Sequence, residues 1–454
     1  MPRRQYLILF LGVTACLSAI AVLTMSPTAY ASIFKHIQNQ PYSSNALVHG
    51  SEIAPLITDL RLPVNTLPKS WVSHNEIAMH ALFRCLETSS CGQNQTKVVL
   101  LGWDAFLNEI EESHEGGEVI WSRSTVRALK KLGYTYLYSP NNERTLQLYH
   151  VFRGLITAIF IEERETNACF NDPKCVLSSS NPSGIPVWKM FSCNWWTGAV
   201  GPLKNNWTLN PEDYRLEGKG YAPNMYLGYS VEPACSSRPF VPHSERKRQA
   251  YVLAKEMHYF EPDFRAWEPD FFDAAHEVSI IEFVSGVRGA ATADFPLLGY
   301  MSPSDFYDEL SRSLVLVGVG LPFASPTPYD ALCFGVPFIN PITEWDAAEP
   351  LNRDKWSVQH GMMKHLHPPY VYHVYKGDRN GFVNAIKEAV AHPIESFVLD
   401  RMKMKAVKER LGRILSKDWE AEFSLVVIGV LVEILWVQFE VEFQDAFDVL
   451  KMDA

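Results

Sequence analysis

Short apolar runs alternate with helical segments along most of the chain, and this alternation constrains the fold more than any other feature. The first half contains an apolar run ending at Gly102, a helical stretch over 122–132, a strand over 134–138, a helical stretch over 145–155 and an apolar run over 156–161. A β-α-β-α-β series is typical of a parallel sheet with crossover helices. We therefore expect an α/β lobe in this half.

The alternation returns in the second half of the chain. The predicted strands cover 250–254, 280–284, 314–317, 336–339 and 370–374, and the predicted helices cover 304–313, 328–334 and 378–390. Two successive α/β units predict two lobes with a cleft between them, and such clefts are common ligand sites. Between the lobes, a charged stretch over 243–248 reads as a linker.

The segment over 167–230 interrupts the rhythm. It is rich in loops and prolines, and it contains Trp188, Trp195, Trp196 and Trp207. Aromatic side chains in an irregular segment are usually core residues. The alternative is a wall on which sugar rings stack, because the C–H faces of sugars pack on aromatic rings.

The N-terminus predicts an exported protein. Arg3 and Arg4 precede twenty uncharged, mostly apolar residues from Tyr6 to Met25, enough for a helix that crosses the hydrocarbon core. The arginines favour a cytosolic N-terminus and hence a type II signal-anchor. The alternative is a cleaved signal peptide ending near Ala31. Residues 26–70 then form a stem outside the cytosol.

Two sequons and the cysteine spacing fit an oxidising lumen. Asn94 and Asn206 are candidate glycosylation sites. The close pairs Cys85 with Cys91 and Cys169 with Cys175 are candidate local disulfides, with a zinc site as the weaker alternative. Cys333 lies in an apolar helical run, so we expect a buried free thiol there.

The charge balance excludes some classes of protein. The 454 residues contain 41 Lys and Arg against 51 Asp and Glu, a net charge of −10, and 47% of them are hydrophobic. Such a chain is neither disordered nor a basic nucleic-acid binder.

Residues 420–454 carry eight acids and one base, hence most of the negative charge. Residues 423–439 of this tail are nearly all apolar, and we expect either an extra docked helix or a tail that arises from an uncertain gene model.

The stretch from Leu314 to Pro341 is the most informative motif. It reads as a strand, a glycine-rich loop, a proline-opened helix and a second strand. Glycines let the backbone approach a ligand, and the amides at the helix start suit a diphosphate. Asp330 is placed to accept hydrogen bonds from ribose hydroxyls. The alternative is a structural crossover with an aspartate favoured by the helix dipole. A dinucleotide fingerprint is disfavoured, because Phe323 replaces its third glycine.

This stretch resembles the donor-binding region of GT-B sugar-nucleotide transferases. It is most similar to the α-1,6-mannosylglycoprotein 6-β-N-acetylglucosaminyltransferases of glycosyltransferase family 18 (N-acetylglucosaminyltransferase V-like), and to fungal members in particular. The resemblance runs over roughly 97–415. Shorter motifs that share it lie at 117–122, 207–211, 226–232, 357–360 and 394–395.

The resemblance implies two Rossmann-like domains facing a cleft. It implies inverting transfer of GlcNAc from UDP-GlcNAc to O6 of an α-mannose of an N-glycan, in the Golgi lumen. Glu118 matches the catalytic general base of the family. Without the family, Glu118 reads as an acid favoured by a helix N-terminus. The expected donor site contains Gly318, Gly320, Pro322, Phe323, Ser325, Pro326, Pro328, Asp330, Gln359 and His360, with Lys364 as a further candidate.

No metal or other cofactor is expected besides the UDP-sugar. The chain contains no Asp-x-Asp, the motif that usually holds Mn²⁺ or Mg²⁺ on the diphosphate. Pro322 stands eight positions before Asp330, where many retaining GT-B enzymes carry a second acid. Both observations favour metal-independent inversion, with the loop amides stabilising the leaving group.

The predicted organisation has five parts. These are 1–25 as cytosolic tail and signal-anchor, 26–70 as stem, 71–242 as acceptor-side domain, 243–419 as nucleotide-sugar domain and 420–454 as a tail without an assigned role. Two other functions compete with the GlcNAc-transferase: a GT-B transferase with a different sugar nucleotide or acceptor, and a catalytically inactive lectin-like relative.

Overall fold

A computed structural model describes residues 70–112, 116–198, 204–218, 223–287 and 296–428. The predicted signal-anchor, most of the predicted stem and the end of the tail lie outside these ranges. No helix among the described residues is long and apolar enough to cross a membrane.

The first lobe is built on a six-stranded, fully parallel sheet with the order β2-β1-β3-β4-β5-β6. Its central strands are buried on both faces, as a parallel sheet covered by helices requires. The elements are α1 (Trp71–Glu87), β1 (Val98–Gly102), α2 (Asp104–Glu111), α3 (Gly117–Leu132), β2 (Thr135–Tyr138), α4 (Asn142–Phe152), β3 (Ile156–Glu162), α5 (Glu163–Asn171), β4 (Met190–Cys193), β5 (Thr208–Asn210) and β6 (Met225–Tyr226).

Half of this sheet comes from the segment that the sequence pattern left irregular. Strands β4, β5 and β6 span four, three and two residues within a loop-rich, proline-rich segment, where such short strands are not visible in the sequence. They continue the parallel sheet beyond β3 by register pairs such as Phe160 with Phe191 and Ser192 with Thr208. The segment over 167–230 is therefore part of the first lobe's core.

The second lobe has a sheet with the order β8-β7-β9-β10, and both β11 and β12 pair with β10. Only β11 runs antiparallel. The elements are α6 (Glu232–Ser236), β7 (Gln249–Leu253), α7 (Pro269–Ser279), β8 (Glu282–Val284), α8 (Pro303–Ser311), β9 (Val315–Gly318), α9 (Thr327–Cys333), β10 (Phe338–Glu344), β11 (Ser357–Val358), β12 (Val371–Tyr375), α10 (Arg379–Ala391) and α11 (Met404–Ser416).

The expected linker over 243–248 contains a buried structural residue. Arg246 is buried, and its guanidinium donates to the carbonyl oxygens of Phe334 and Gly335, each at 2.8 Å. Because these carbonyls follow α9, Arg246 caps the end of that helix. The charge of this short stretch thus has a packing role that sequence alone did not indicate.

The C-terminal part of the described chain returns to the first lobe. Helix α11 packs against α3, and residues 419–428 form a further helical segment. Trp419 contacts Phe191 with ring centroids 4.9 Å apart and Trp207 at 5.2 Å, and Phe423 lies 5.6 Å from Trp188. The start of the acidic tail is therefore a docked helix whose apolar side completes the first lobe's core.

Three disulfides join six of the seven cysteines in the described residues. Cys85 is bonded to Cys91 and Cys169 to Cys175, the two local pairs that the spacing suggested. The expectation of a free thiol at 333 is wrong, because Cys333 is bonded to Cys235 of α6. Their separation of 98 residues hides this pairing from any local pattern. Cys193 is the buried free thiol.

Candidate functional site

A cavity of about 600 Å³ opens at the carboxyl edge of the first lobe's sheet. This edge of a parallel sheet is where ligand-binding loops collect. The cavity is lined by residues that follow β1, β3 and β4 and by the start of α3: Trp103, Glu118, Glu162, Glu163, Arg164, Asn167, Cys193, Asn194, Trp195 and Trp196. We call it the first-lobe cavity.

Glu118 lies in the first turn of α3, and its side chain is exposed at the first-lobe cavity. Gly116 is the N-cap in extended conformation. A Cβ at Gly117 would collide with the indole of Trp195, so only glycine lets the helix start this close to the ring. The close approach fixes where Glu118 sits relative to the cavity.

Two further carboxylates line the same cavity. Glu162 ends β3 and forms an ion pair at 3.5 Å with the exposed Arg164. Glu163 accepts a hydrogen bond from the Asn194 amide. Burial raises the pKa of Glu163 and nearby Glu162 adds to the rise, while the Asn194 hydrogen bond opposes it. Glu118 is thus one of three acids at the cavity.

The tryptophans divide between core and cavity. Trp207 is buried and donates its indole N–H to the carbonyl of Trp188 at 3.1 Å, so both belong to the core. Trp195 is half-buried and Trp196 is 52% exposed, and both line the first-lobe cavity. The core interpretation therefore holds for Trp188 and Trp207, and sugar stacking on Trp195 and Trp196 stays a prediction.

The side chain of Gln359 forms two hydrogen bonds with the backbone of the glycine-rich loop that follows β9. The Gln359 Oε1 accepts from the Gly320 amide at 2.9 Å, and its Nε2 donates to the Pro322 carbonyl at 3.3 Å. A Cβ at Gly318 would collide with this Gln359 side chain, and Gly320 has a φ of +115°. These contacts explain the two glycines by packing and backbone conformation.

His360 supports the same loop one step further on. Its Nε2 lies 3.1 Å from the carbonyl oxygen of Ser325, and its ring is buried. Burial, with nearby Arg401, lowers the pKa of His360 to about 3, so the imidazole is neutral. The structure therefore places Gln359 and His360 beneath the loop as supports.

The remaining loop residues shape the start of α9. The Ser325 hydroxyl accepts from the Thr327 amide at 3.3 Å, Pro326 is the N-cap, and Pro328 lies in the first turn. Helix α9 has only seven residues, so its dipole is small and any anion here depends on loop amides. Phe323 is 49% exposed at the loop surface.

Asp330 points to a different cavity, with a volume of about 240 Å³. This second cavity lies between α3, α6, α8 and α9, and Arg123, Arg127 and Arg238 also line it. Asp330 is 2% exposed, and burial raises its pKa well above the ordinary value. A buried acid of this kind requires a hydrogen-bonding partner, which hydroxyls of a ligand can supply.

The structure does not bring all predicted site residues into one cavity. Glu118 lines the first-lobe cavity and Asp330 lines the second cavity. Gln359 and His360 instead support the backbone of the glycine-rich loop. Lys364 is buried and donates to the backbone carbonyls of Glu217 and, at 3.2 Å, of Asp354. Glu217 belongs to the first lobe, so Lys364 joins the lobes.

The predicted glycosylation sites differ in accessibility. Asn206 is exposed in the short helix Lys204–Trp207. Asn94 is half-buried, and its side-chain amide donates to the Leu132 carbonyl at 2.9 Å. No cluster of three or more histidine, cysteine or acidic side chains suited to a metal occurs among the residues the structure describes.

One polar cluster escaped the sequence analysis. Glu212 is buried and accepts hydrogen bonds from the hydroxyls of Tyr229 and Tyr329. Burial raises the pKa of Glu212 to about 7, against the opposing effect of the two tyrosines and Arg401. A single acid in a proline-rich stretch carries no spacing signal, although Glu212 directly follows the motif at 207–211.

Two lobes with mainly parallel sheets, and loops at the carboxyl ends of their strands, are the GT-B architecture that the sequence predicted. The sequence comparisons specify the family. Residues 205–423 match the model of glycosyltransferase family 18. The match covers just under half of the chain, and it confirms the predicted resemblance to this family.

The curated relatives carry the corresponding name. Alpha-1,6-mannosylglycoprotein 6-beta-N-acetylglucosaminyltransferase A of Cricetulus griseus and that of Homo sapiens are each 24% identical to the chain over 226 residues. The match covers 47% of the chain and 30% of each relative. The chain thus corresponds to less than a third of their length.

Among solved structures, an alpha-glucosyltransferase in complex with UDP and a 13-mer DNA is similar, with 10% identity and a TM-score of 0.35. The match covers 73% of this chain and 99% of that one. A TM-score at this level supports no inference about the function of this chain.

Proposed function

We propose that the protein is an inverting glycosyltransferase that moves GlcNAc from UDP-GlcNAc to O6 of an α-linked mannose of an N-glycan. The observation that carries the proposal is an exposed carboxylate, Glu118, at a cavity lined by half-buried and exposed tryptophans. The match of residues 205–423 to the family supports a glycosyl transfer. The names of the relatives support the choice of sugar and acceptor.

The first-lobe cavity is proposed as the acceptor site. An exposed indole such as Trp196 packs on the C–H face of a mannose ring. The Asn194 side chain and the carboxylate of Glu162 offer hydrogen-bond partners for sugar hydroxyls. The cavity volume of about 600 Å³ has room for more than one sugar ring.

Glu118 is proposed as the general base. The O6 hydroxyl attacks the anomeric carbon of the donor from the face opposite UDP and passes its proton to Glu118 as the new C–O bond forms. The bond from the anomeric carbon to the diphosphate oxygen breaks at the same time. One base suffices for such an inversion.

The glycine-rich loop and Asp330 are proposed to hold the donor. Asp330 accepts hydrogen bonds from the ribose hydroxyls. These hydroxyls supply the hydrogen-bonding partner that a buried carboxylate requires. The loop amides stabilise the charge that develops on the diphosphate, because the supports beneath the loop fix their directions. We propose that no metal is required, since the chain lacks an Asp-x-Asp.

The test uses the full-length chain with a panel of UDP-sugars and a biantennary N-glycan, in the presence of EDTA. We expect transfer from UDP-GlcNAc. Glu118→Gln should lower kcat by about 10²- to 10⁴-fold, the usual contribution of a general base, and leave UDP binding unchanged. Activity that depends on added Mn²⁺ would contradict the metal-independent mechanism.

Glu162→Gln is the matched control. Glu162 lines the same cavity as Glu118, but it lies at the end of β3 instead of the start of α3. We expect this variant to alter mainly the KM for the acceptor. A loss of kcat in Glu162→Gln with full activity in Glu118→Gln would reassign the base. UDP binding without transfer to any acceptor would favour the inactive lectin-like relative.

We further propose that the protein is a type II membrane protein of the Golgi with its catalytic lobes in the lumen. The uncharged run over 6–25 and the disulfides support export. Protease protection of the lobes in sealed microsomes, with glycans on Asn206, is the expected result. Lobes digested without detergent would contradict it.

A further inference from the structure

The buried carboxylate of Glu212 joins the two lobes and has no part in the proposed chemistry. Its Oε1 accepts from the Tyr229 hydroxyl at 2.7 Å, and its Oε2 accepts from the Tyr329 hydroxyl at 2.9 Å. Glu212 follows β5 of the first lobe, whereas Tyr329 lies in α9 directly before Asp330. All three side chains are at most 2% exposed. Each carboxylate oxygen thus binds one specific hydroxyl, one of which belongs to the other lobe.

On the second lobe, Tyr329 is connected to the glycine-rich loop. Its ring lies edge-on to His360 with centroids 4.7 Å apart, and His360 in turn contacts the Ser325 carbonyl at 3.1 Å. Arg401 donates to the Tyr329 hydroxyl at 3.4 Å and to the Met362 carbonyl at 2.9 Å. A displacement of Tyr329 would therefore displace the end of the loop as well as α9.

On the first lobe, Tyr229 is connected to the first-lobe cavity. Its ring stacks on Trp195 with centroids 6.3 Å apart and an interplanar angle of 24°. Trp195 lines the cavity and limits the approach of Gly117, the residue before Glu118. Glu212 therefore sits in a continuous series of contacts between the cavity that holds Glu118 and the helix that holds Asp330.

We propose that Glu212 is a positioning residue that fixes α9, and with it Asp330 and the glycine-rich loop, relative to the first-lobe cavity. The inference rests on the proposed function, in which the two cavities hold the acceptor and the donor. Transfer between two bound substrates depends on their mutual distance, and a shift of about 1 Å can cost about 100-fold in rate. A carboxylate with two oxygens suits this task, because it binds one hydroxyl from each side.

The test compares two variants that each remove one hydroxyl from Glu212. Tyr329→Phe should raise the Kd for UDP by about fivefold or more, the size expected for one lost hydrogen bond, and lower kcat further. Tyr229→Phe keeps the contact to α9, so its Kd for UDP should stay within about twofold of the wild type. Calorimetry with UDP, KM and kcat for both substrates, and thermal unfolding are measured on the full-length chain.

Substitution of Glu212 itself provides the rescue. Glu212→Gln keeps one acceptor oxygen and gains an amide donor for the second phenolic oxygen, so its Kd for UDP should stay within about threefold of the wild type. Glu212→Leu loses both contacts and should resemble Tyr329→Phe or be worse. If Glu212→Leu does not fold, the two phenylalanine variants decide.

The outcomes separate this inference from the proposed function. Wild-type protein that binds no UDP overturns the proposed function, and the inference with it. Wild-type binding that Tyr329→Phe leaves unchanged, despite a lower unfolding temperature, overturns only the inference and leaves Glu212 as a stabilising residue of the lobe interface. Equal effects of Tyr329→Phe and Tyr229→Phe on the Kd also overturn it.

Discussion

At the scale of residues, Asp330 illustrates a conflict between stability and ligand binding. Its buried carboxyl has a raised pKa, so keeping it ionised at neutral pH costs folding free energy. We expect Asp330→Asn to raise the unfolding temperature at pH 7.5 and to weaken UDP binding by about tenfold, since an amide replaces a charge-assisted acceptor. The gain in stability should shrink toward pH 3, below the ordinary pKa of 3.8, where the wild-type carboxyl is mostly protonated in both states.

Differential scanning fluorimetry at both pH values, with UDP calorimetry beside it, checks this prediction. Asp305→Asn is the control, because Asp305 is an exposed acid in the first turn of α8. An Asp330→Asn variant that is less stable than the wild type at pH 7.5 would show that the ionised carboxylate is compensated inside the protein.

The raised pKa of Glu212 predicts how the free energy of unfolding depends on pH. Its folded-state pKa of about 7 exceeds the ordinary value of 4.5, so the folded state binds the proton more tightly than the unfolded state. The associated stability is fully present below pH 4.5 and is lost as pH rises to 7. The loss amounts to about 3 kcal/mol if the full shift is realised. Glu212→Gln has no proton to lose and should show a smaller loss of unfolding free energy across this window.

Urea unfolding of the wild type and Glu212→Gln at pH 5 and pH 8 measures the difference. Glu143→Gln on the exposed surface of α4 controls for general charge effects. Equal pH slopes for wild type and Glu212→Gln would mean that Glu212 remains ionised throughout the window.

At the scale of elements, the strands and helices that the sequence predicted are those with a visible period. The predicted strand over 156–161 corresponds to β3, and the helix expected from 378 begins at its Asp378 N-cap, which accepts from the Gly381 amide at 2.9 Å. Strands β4 to β6 were missed, because they are short and lie in a loop-rich, proline-rich segment. Their places are set by pairing with β3, which is information from tertiary structure.

The helical segment over 419–428 yields a prediction about the tail. Trp419 is buried between Phe191 and Trp207 and donates its indole N–H to the Ile414 carbonyl at 2.7 Å. Trp419→Ala should lower the unfolding free energy by about 3–5 kcal/mol, the range for a large buried aromatic residue. Leu425→Ala, which truncates a side chain that is 65% exposed, should change it by less than about 1 kcal/mol.

Chemical denaturation measures the unfolding free energy of the two variants. A large loss in Trp419→Ala alone means that the helical segment over 419–428 is part of the core. Similar small losses in both would mean that the segment contributes little to the core. The helical segment lies largely beyond the predicted domain end at residue 419. The domain boundary at residue 419 stays a prediction that these substitution data can refine.

At the scale of the whole molecule, the sequence indicated two lobes and missed what joins them. The Gly-rich motif at 314–341 and Glu118 were visible because each resembles a family motif. Arg246, Glu212 and the Cys235–Cys333 bond were not visible, because each connects positions far apart in the chain. Burial and pairing between positions far apart in the chain leave no periodic signal in the sequence.

Lys364 offers a test of how firmly the lobes are joined. Its buried ammonium donates to the carbonyl of Glu217, in the first-lobe segment Tyr214–Glu217, and to that of Asp354. Lys364→Met fills a similar volume and removes both charge-assisted hydrogen bonds, including the one to Glu217 that crosses the interface. We expect amide hydrogen exchange over 214–217 to accelerate by about tenfold or more, while β1 and β9 stay protected. Lys355→Met, which breaks only ion pairs within the second lobe, should leave 214–217 unchanged.

The pattern of exchange distinguishes a local from a global effect. Faster exchange confined to 214–217 means that the lobes separate locally while each sheet stays folded. Faster exchange in β1 and β9 as well would mean that Lys364 stabilises the whole fold. Because α9 and the glycine-rich loop belong to the lobe that Lys364 connects, a separated interface should also lower kcat more than it raises the KM for UDP-GlcNAc.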